Sequence, residues 1–153
     1  MRLIGVRCSS TDYSYAIVEG VQSSPRLVHA DRVGCPRGYS RPNTLKWFLQ
    51  EMEDHVRMRE ISGIVIKGPE AMALRNKGFV ERTEIEAMAL LAAANAGFSV
   101  VARKVKSTIA KDLGLKGKAK YLAELDTSRM PGYANLSENC QEAALVAWSC
   151  LPK

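Results

Sequence analysis

The first apolar stretch of the chain ends in a charged side chain, at a position where α/β proteins commonly hold their reactive groups. The apolar residues 3–6 predict a strand that is buried on both faces. Arg7 follows them directly, and residues 8–12 form a polar turn. A guanidinium group can bind a carboxylate or a phosphate, but it cannot ligate a metal ion. Arg7 is therefore the first candidate functional residue.

Positive charge is concentrated in one segment. The chain carries 22 lysine and arginine residues against 16 aspartate and glutamate residues, which gives a formal net charge of +6. Residues 101–120 contain Asp112 as their sole carboxylate and the following cations: Arg103, Lys104, Lys106, Lys111, Lys116, Lys118 and Lys120. Such a run is often only a solvated face. Gly114 and Gly117 predict a loop here, however, and a basic loop favours contact with the phosphates of a nucleic acid.

Other reaction centres find little support in the sequence. The four cysteines lack the spacing of a zinc site and are interpreted as reduced thiols. Of the two histidines, His29 is predicted to be structural, and His55, at an acidic helix end, is predicted to be exposed. There is no Ser-His-Asp pattern, P-loop or dinucleotide fingerprint. The sequence predicts no metal site.

The hydrophobic pattern predicts alternating strands and helices around these residues. Two strands within residues 2–18 and a third over 26–33 form an antiparallel meander. The later elements are predicted as follows: a helix over 44–58 capped by Asn43, a strand over 61–67, an ambiguous segment over 71–78, a helix over 79–96 ended by Gly97, a strand over 98–102, short helices over 105–113 and 118–126, a loop over 127–135, and a last helix capped by Ser137. This order predicts an α/β fold: a mixed five-stranded sheet, its first three strands antiparallel, with helices on both faces.

Length and composition fit one domain over residues 1–153. The chain is 46% hydrophobic and 25% charged, as in ordinary soluble proteins. No apolar run approaches the roughly 18 residues of a membrane span. The first apolar stretch is also too short for a secretion signal, so a cytoplasmic location is predicted.

Four segments carry a resemblance to a known family: residues 5–10 (Gly-Val-Arg-Cys-Ser-Ser, with Tyr15 further on), 63–67 (Gly-Ile-Val-Ile-Lys), 105–109 (Val-Lys-Ser-Thr-Ile) and 139–145 (Asn-Cys-Gln-Glu-Ala-Ala-Leu). In this order they resemble the RuvC-type Holliday-junction resolvases. These have Gly-Ile-Asp-Pro-Gly-Ser and a later Tyr, an apolar strand ending in Glu, Val-Lys-x-Thr-Val, and Asp-Ala-Ala-Asp-Ala-Leu-Ala. The resemblance spans nearly the whole chain and implies the RNase H-like fold, whose element order is the one predicted above.

The departures from the family pattern concern its catalytic carboxylates. The resemblance implies four carboxylates that bind two Mg²⁺ ions. At the matching positions this chain has Arg7, Lys67, Asn139 and Glu142. Two positive charges about 4 Å apart repel each other by about 4 kcal/mol at an effective dielectric constant near 20. Arg7 and Lys67 would therefore repel Mg²⁺, and a metal pair is not expected there. We expect Arg7 and Lys67 to pair with Glu142, and also with Glu138 one turn earlier.

The leading hypothesis is a catalytically degenerate RuvC-like protein, and not an enzyme, that binds nucleic acid through a basic cleft. DNA is favoured over RNA, and no cofactor is required. The predicted phosphate contacts are Lys67, Arg75, Lys77, Lys106, Lys116 and Lys118, with Arg82 close to the same edge. Lys106 and Lys118 also match lysines of the family pattern.

Two alternatives remain open. One is a nuclease with a relocated Mg²⁺ site built from carboxylates near the sheet edge: Asp12, Glu70, Glu138 and Glu142. The other is a structural or protein-interaction module whose ion pairs only fill the cleft. Under all three hypotheses the Ala- and Met-rich helix from Phe79 is compatible with a homodimer. No contact with a membrane is expected.

Overall fold

A five-stranded mixed sheet forms the centre of the molecule. The computed structural model describes all residues from 1 to 153. The strands are β1 (Arg2–Cys8), β2 (Asp12–Val21), β3 (Ser24–Gly34), β4 (Gly63–Lys67) and β5 (Val100–Lys104). Their order in the sheet is β3-β2-β1-β4-β5, with β1 to β3 antiparallel and with β4 and β5 parallel to β1. The predicted sheet is confirmed.

Helices connect the strands and cover the sheet. They are α1 (Arg41–Arg59), α2 (Lys77–Asn95), α3 (Lys106–Asp112) and α4 (Glu138–Trp148). Between α3 and α4 the chain forms three short 3₁₀ segments: Ala119–Glu124, Thr127–Arg129 and Tyr133–Asn135. None of the helices combines the length and the apolar character that crossing a membrane requires.

Both faces of the sheet are buried because successive side chains of a strand point to opposite sides. Leu3 of β1 belongs to a core on the α4 side, where Trp148 is fully buried. Its neighbour Ile4 belongs to a second core on the other face, together with Phe48 of α1 and Ile85 of α2. The predicted placement of helices on both faces is confirmed.

Helix α4 lies unusually close to β1. A methyl group at Gly5 would overlap the backbone carbonyl of Ala143 and would also touch the side chain of Ala147. Only glycine permits this approach, because any other residue would push the helix away from the strand. The contact fixes the position of α4 along β1. Gly5 lies two residues before Arg7, and Ala143 lies one residue after Glu142.

Several predicted boundaries are wrong. Helix α1 begins at Arg41, and its cap is Ser40, whose Oγ accepts a hydrogen bond from the Asn43 N–H at 3.3 Å. The earlier start is possible because Pro42 lies in the first turn, where a missing N–H costs nothing. The segment over 71–78, whose structure the sequence leaves ambiguous, is irregular up to Asn76, and the Asn76 side chain caps α2.

Two later elements also differ from the prediction. Strand β5 begins at Val100 and not at residue 98, because Phe98 still belongs to the turn after α2 and its N–H binds the Ala93 carbonyl at 3.1 Å. The helix predicted over 118–126 is only the 3₁₀ segment Ala119–Glu124. Lys118 precedes this segment and provides no side-chain cap.

His55 is half-buried, although its acidic surroundings predict exposure. Its Nε2 lies 3.1 Å from the Tyr13 hydroxyl, which itself donates to Glu51 at 2.8 Å. The imidazole ring packs 4.4 Å from the ring of Tyr15. Burial, and then the charge of Arg59, lower the pKa of His55 to about 4. The face of α1 that carries Glu51 and His55 turns towards the sheet, which the local charge pattern does not reveal.

Candidate nucleic-acid interface

Arg7 stands at the carboxyl end of β1 and is held by three contacts. Its Nε lies 3.3 Å from Glu142 Oε2 on α4. Its Nη1 donates to the Cys8 carbonyl at 2.9 Å and to Ser9 Oγ at 3.2 Å. The predicted pair between Arg7 and Glu142 is thus present in the structure. Strand and helix position the two side chains through the close contact between Gly5 and Ala143.

Glu142 lies between two cations. Its second oxygen, Oε1, is 3.1 Å from Lys106 Nζ at the start of α3. Burial by itself raises the pKa of the Glu142 carboxyl. The hydrogen bond from Lys106 and the positive charges of Lys67 and Arg7 outweigh burial, so the pKa lies below its ordinary value. This carboxylate is therefore ionised and neutralised by the protein itself.

Lys67 does not pair with Glu142, so that part of the prediction is wrong. Its side chain is 3% exposed, and its Nζ donates to the Gly68 carbonyl at 2.6 Å and lies 3.1 Å from Glu70 Oε1. The ammonium group thus turns to the loop that follows β4, where a carboxylate three residues away is within reach. Glu138, the other predicted partner, is exposed and forms no ion pair.

The four positions that match the family's metal ligands do not fit Mg²⁺. Arg7 and Lys67 are cations, Asn139 offers one neutral oxygen, and Glu142 is already bound by Arg7 and Lys106. Mg²⁺ requires several hard oxygen ligands with negative charge. A metal at this place would face net positive charge, so these residues do not suit metal-dependent chemistry.

The carboxylates of the relocated site do not come together. Asp12 binds Arg32 at 2.6 Å on the antiparallel half of the sheet. Glu70 binds Lys67 and also accepts a hydrogen bond from the Lys106 backbone N–H at 3.1 Å. No three His, Cys, Asp or Glu side chains lie close enough to hold a metal ion.

A second charged cluster escapes the sequence patterns. Glu86 of α2 is fully buried between Arg82, whose Nε is 3.5 Å from Glu86 Oε1, and Arg103 of β5, which contacts Oε2. Arg82 also donates to the Lys67 carbonyl at 2.8 Å. The spacing of Arg82 and Glu86, one helical turn apart, is the one signal in the sequence. It is typical of a surface pair and says nothing of burial.

The predicted phosphate-binding cations do not form one patch. Lys106 is engaged by Glu142, and Lys67 is buried. Lys116 and Lys118 are exposed beyond α3, where Lys116 Nζ lies 5.1 Å from the centre of the Tyr121 ring.

The other two predicted cations flank the start of α2. Arg75 is exposed and packs 5.5 Å from the centre of the Phe79 ring. Lys77 is exposed and lies 3.6 Å from Glu81. The predicted cations thus lie in separate groups.

Two neighbouring concavities open at the edge where β1, β4 and β5 end. One, of about 420 Å³, is lined by cationic residues of β5 and the α2 region together with Glu70: Arg75, Arg103 and Lys104. The other, of about 320 Å³, is lined by Arg7, Ser9, Ser10 and Arg82 among its residues and contains no carboxylate. Phe79 contributes to both.

Comparison with solved structures matches this architecture over almost the entire chain. The structure of RuvC from Thermus thermophilus aligns with a TM-score of 0.78 over 97% of this chain and 92% of that chain, with 14% identical residues. The chain has the RNase H-like fold of RuvC. T. thermophilus RuvC in complex with a Holliday junction substrate aligns with a TM-score of 0.75 over 97% and 91% of the two chains, at 13% identity.

The yeast mitochondrial Holliday junction resolvase Ydc2 aligns with a TM-score of 0.62 over 97% of this chain and 75% of that chain, at 13% identity. No protein-family model and no curated protein sequence matches the chain. The resemblance to RuvC seen in the sequence motifs is thereby confirmed as a likeness of fold. Identities of 13–14% leave the chemistry to be argued from the residues of this chain.

Proposed function

We propose that this chain binds nucleic acid, DNA before RNA, at the edge where β1, β4 and β5 end, and that it does so without metal-dependent cleavage. The observation that carries the proposal is the charge of this edge. Arg7 and Arg82 line a concavity at this edge that contains no carboxylate, and the nearest carboxylate on α4 is already bound by Arg7 and Lys106. A surface of this kind attracts phosphates and repels Mg²⁺.

The outer cations extend this surface. Four lysines after β5 are exposed, and Asp112, the one carboxylate within residues 101–120, binds Lys104 at 2.7 Å. The exposed lysines are Lys111, Lys116, Lys118 and Lys120. Long, unpaired lysine side chains contact phosphates without reading bases, so binding is expected to be weakly selective for sequence and strongly dependent on salt.

The preference for DNA rests on the similar structures. RuvC was solved in complex with a Holliday junction substrate, and the yeast neighbour is named a Holliday junction resolvase. A shared fold therefore favours DNA as the ligand. Branched DNA is therefore the first ligand to be tested, with linear duplex DNA and duplex RNA as comparisons.

The exposed face of α2 supports pairing of two copies of the chain. Val80, Leu90 and Leu91 are 53%, 39% and 42% exposed on this helix. Exposed apolar side chains of this kind are costly to leave in water, and a symmetric dimer that covered them would bury them in both copies. Sedimentation equilibrium of the chain and of a Leu90→Glu variant tests this: a dimer that dissociates in the variant supports pairing through α2, and a monomeric chain contradicts it.

The test of binding combines calorimetry and a cleavage assay. The purified chain is titrated with Mg²⁺ and Mn²⁺, with and without a branched DNA, and the same samples are assayed for cleavage. Salt-sensitive binding that needs no metal and produces no cleavage supports the proposal.

Two outcomes would contradict the proposal in different ways. Stoichiometric metal uptake with cleavage that is lost in Glu142→Gln would support the relocated nuclease site. Absence of any affinity beyond that of an unrelated protein of equal net charge would support a structural or protein-interaction role.

A further inference from the structure

The concavity beside Arg7 has an unusual combination of lining groups. It has a volume of about 320 Å³ and lies between the end of β1, the loop after β4 and the first turn of α2. Two guanidinium groups, those of Arg7 and Arg82, line it together with the side chains of Ser9 and Ser10. None of its ten lining residues is an Asp or a Glu. Cations without a carboxylate in the same cavity indicate that the cavity suits an anion.

Both guanidinium groups retain donors for a ligand. Arg7 uses Nε and Nη1 for its contacts within the protein, and Nη2 makes no hydrogen bond. Arg82 uses Nη2 for the Lys67 carbonyl, and Nη1 makes no hydrogen bond. Burial, and then the positive charge of Arg7, lower the pKa of Arg82. The two guanidinium groups thus repel each other, and an anion bound between them would reduce this repulsion.

The carboxylates that balance these arginines lie outside the cavity, and each is shared. Glu142 binds Arg7 and Lys106, and Glu86 binds Arg82 and Arg103. Each of these two groups contains two cations and one anion, so each has a net charge of +1. The cavity therefore lies between two clusters that each carry an excess of one positive charge.

The remaining lining groups suit an oxyanion attached to an organic body. Ser9 and Ser10 contribute hydroxyl groups, and Gly78 lies in the first turn of α2, where the backbone N–H has no acceptor within the helix. Four further lining residues are apolar: Pro69, Ala73, Leu74 and Phe79. A ligand that joins a phosphate to a sugar or base matches a lining with both cationic and apolar groups.

We infer that this cavity, which we call the Arg7–Arg82 pocket, binds a phosphomonoester. The inference rests on the proposed nucleic-acid function, because the phosphomonoester would be the phosphorylated end of a nucleic-acid strand. A phosphomonoester carries a charge of about −1.5 to −2 near neutral pH and complements the net charge of +2 around the pocket. An internal phosphodiester carries −1 and is continued by chain on both sides. A nucleoside monophosphate or inorganic phosphate presents the same chemistry without a strand.

The experiment compares otherwise identical ligands. Affinity of the chain is measured for a DNA oligonucleotide that ends in a 5′-phosphate, a 3′-phosphate or hydroxyl groups, and for a nucleoside monophosphate and inorganic phosphate. One terminal phosphate is expected to raise the affinity about tenfold. The gain should be lost in Arg7→Gln and kept in Arg57→Gln, which removes an equal charge on α1.

A measurement on the unaltered chain keeps the test independent of the fold of the variant. In an amide NMR spectrum, addition of inorganic phosphate should shift the Ser9, Ser10 and Gly78 signals more than addition of chloride at equal ionic strength. If these signals do not move, the pocket does not bind phosphate and the inference is overturned.

The remaining outcomes separate the inference from the proposed function. DNA binding that ignores the terminal phosphate, or a preference that survives Arg7→Gln, overturns the inference and leaves the proposed function intact. Binding of inorganic phosphate or a nucleotide that depends on Arg7, without DNA binding, supports the pocket and overturns nucleic acid as its source.

Discussion

Arg7 Nε and Glu142 Oε2 lie 3.3 Å apart, although 135 positions separate the two residues in the sequence. Lys106 approaches the other carboxylate oxygen, at 3.1 Å. Strand β1, helix α3 and helix α4 therefore meet in one ionic contact at the sheet edge. Residues that match metal ligands in the resemblance to RuvC form, in this chain, a neutralised carboxylate flanked by cations.

Removing the charge of Glu142 should strengthen DNA binding and weaken the fold. In Glu142→Gln, Arg7 and Lys106 lose their anionic partner and become available to phosphates, while unfolding becomes easier by about 1 kcal/mol. Affinity at fixed salt and thermal unfolding measure the two effects. Glu124→Gln, at an exposed carboxylate without an ion pair, is the matched control.

The same variant should also change how stability depends on pH. The pKa of Glu142 is depressed in the folded state, so its contribution is present above the ordinary pKa of a glutamate and is lost as the pH falls through the depressed value. The stability difference between the two proteins should therefore disappear in acid. Equal stability at neutral pH would mean that the ion pairs contribute nothing to the fold.

The exposed lysines after α3 should determine the salt dependence of binding. If Lys116 and Lys118 each contact one phosphate, the double variant Lys116→Gln/Lys118→Gln should lower the slope of log K against log salt by about 2 for duplex DNA. Titrations at several salt concentrations provide the slope. An unchanged slope would exclude this segment from the interface.

His55 should make the protein less stable in mild acid. Its pKa is about 4 in the folded chain against an ordinary value of 6.5, so the unfolded chain binds more protons between these values. Stability is fully present above pH 6.5 and falls as the pH approaches 4, by about 2 kcal/mol after allowance for partial exposure. Denaturant unfolding at several pH values measures this. A His55→Gln variant should lose the dependence, and His29→Gln should keep it.

Gly5 should tolerate no side chain. Gly5→Ala would force a methyl group into the Ala143 carbonyl and should cost about 3 kcal/mol or more of unfolding free energy. Gly34→Ala, where an added methyl group meets nothing within 4 Å, is the matched control and should cost little. Chemical denaturation compares the two. Similar values would show that α4 can move away from β1.

Restoring carboxylates should restore metal binding. The triple variant Arg7→Asp, Lys67→Glu and Asn139→Asp gives the residue types that the resemblance assigns to these positions, with Glu142 as the fourth. Because the backbone is already in the RuvC arrangement, Mg²⁺ should raise the Tm of this variant and leave that of the original chain unchanged. If Mg²⁺ has no effect on the variant, the side chains alone do not account for the difference.

The sequence predicts the fold well because periodic patterns are local. The order of elements along the chain, the antiparallel first three strands, the helices on both faces and the Ser137 cap of α4 follow from apolar spacing and capping residues. The N-cap of α1 and the start of β5 do not, since they depend on Pro42 and on the turn that contains Phe98.

The site was predictable only in part. Motif positions bring Arg7 and Glu142 together, and the structure has this pair. The second partner of Glu142 is Lys106 and not Lys67, because Lys67 instead contacts Glu70 in the loop after β4. The conformation of that loop is not encoded in a local sequence pattern. The burial of Glu86 also depends on a neighbour from another strand, Arg103.

The contact of Gly5 with Ala143 separates architecture from chemistry. Because it is made by backbone and small side chains, it sets the distance between β1 and α4 whatever residues occupy positions 7 and 142. The sign of the charge at this edge can then invert through substitutions of side chains alone, with no change of scaffold. A lineage with this fold could in this way exchange a catalytic centre for a binding surface, or return to one, by few mutational steps.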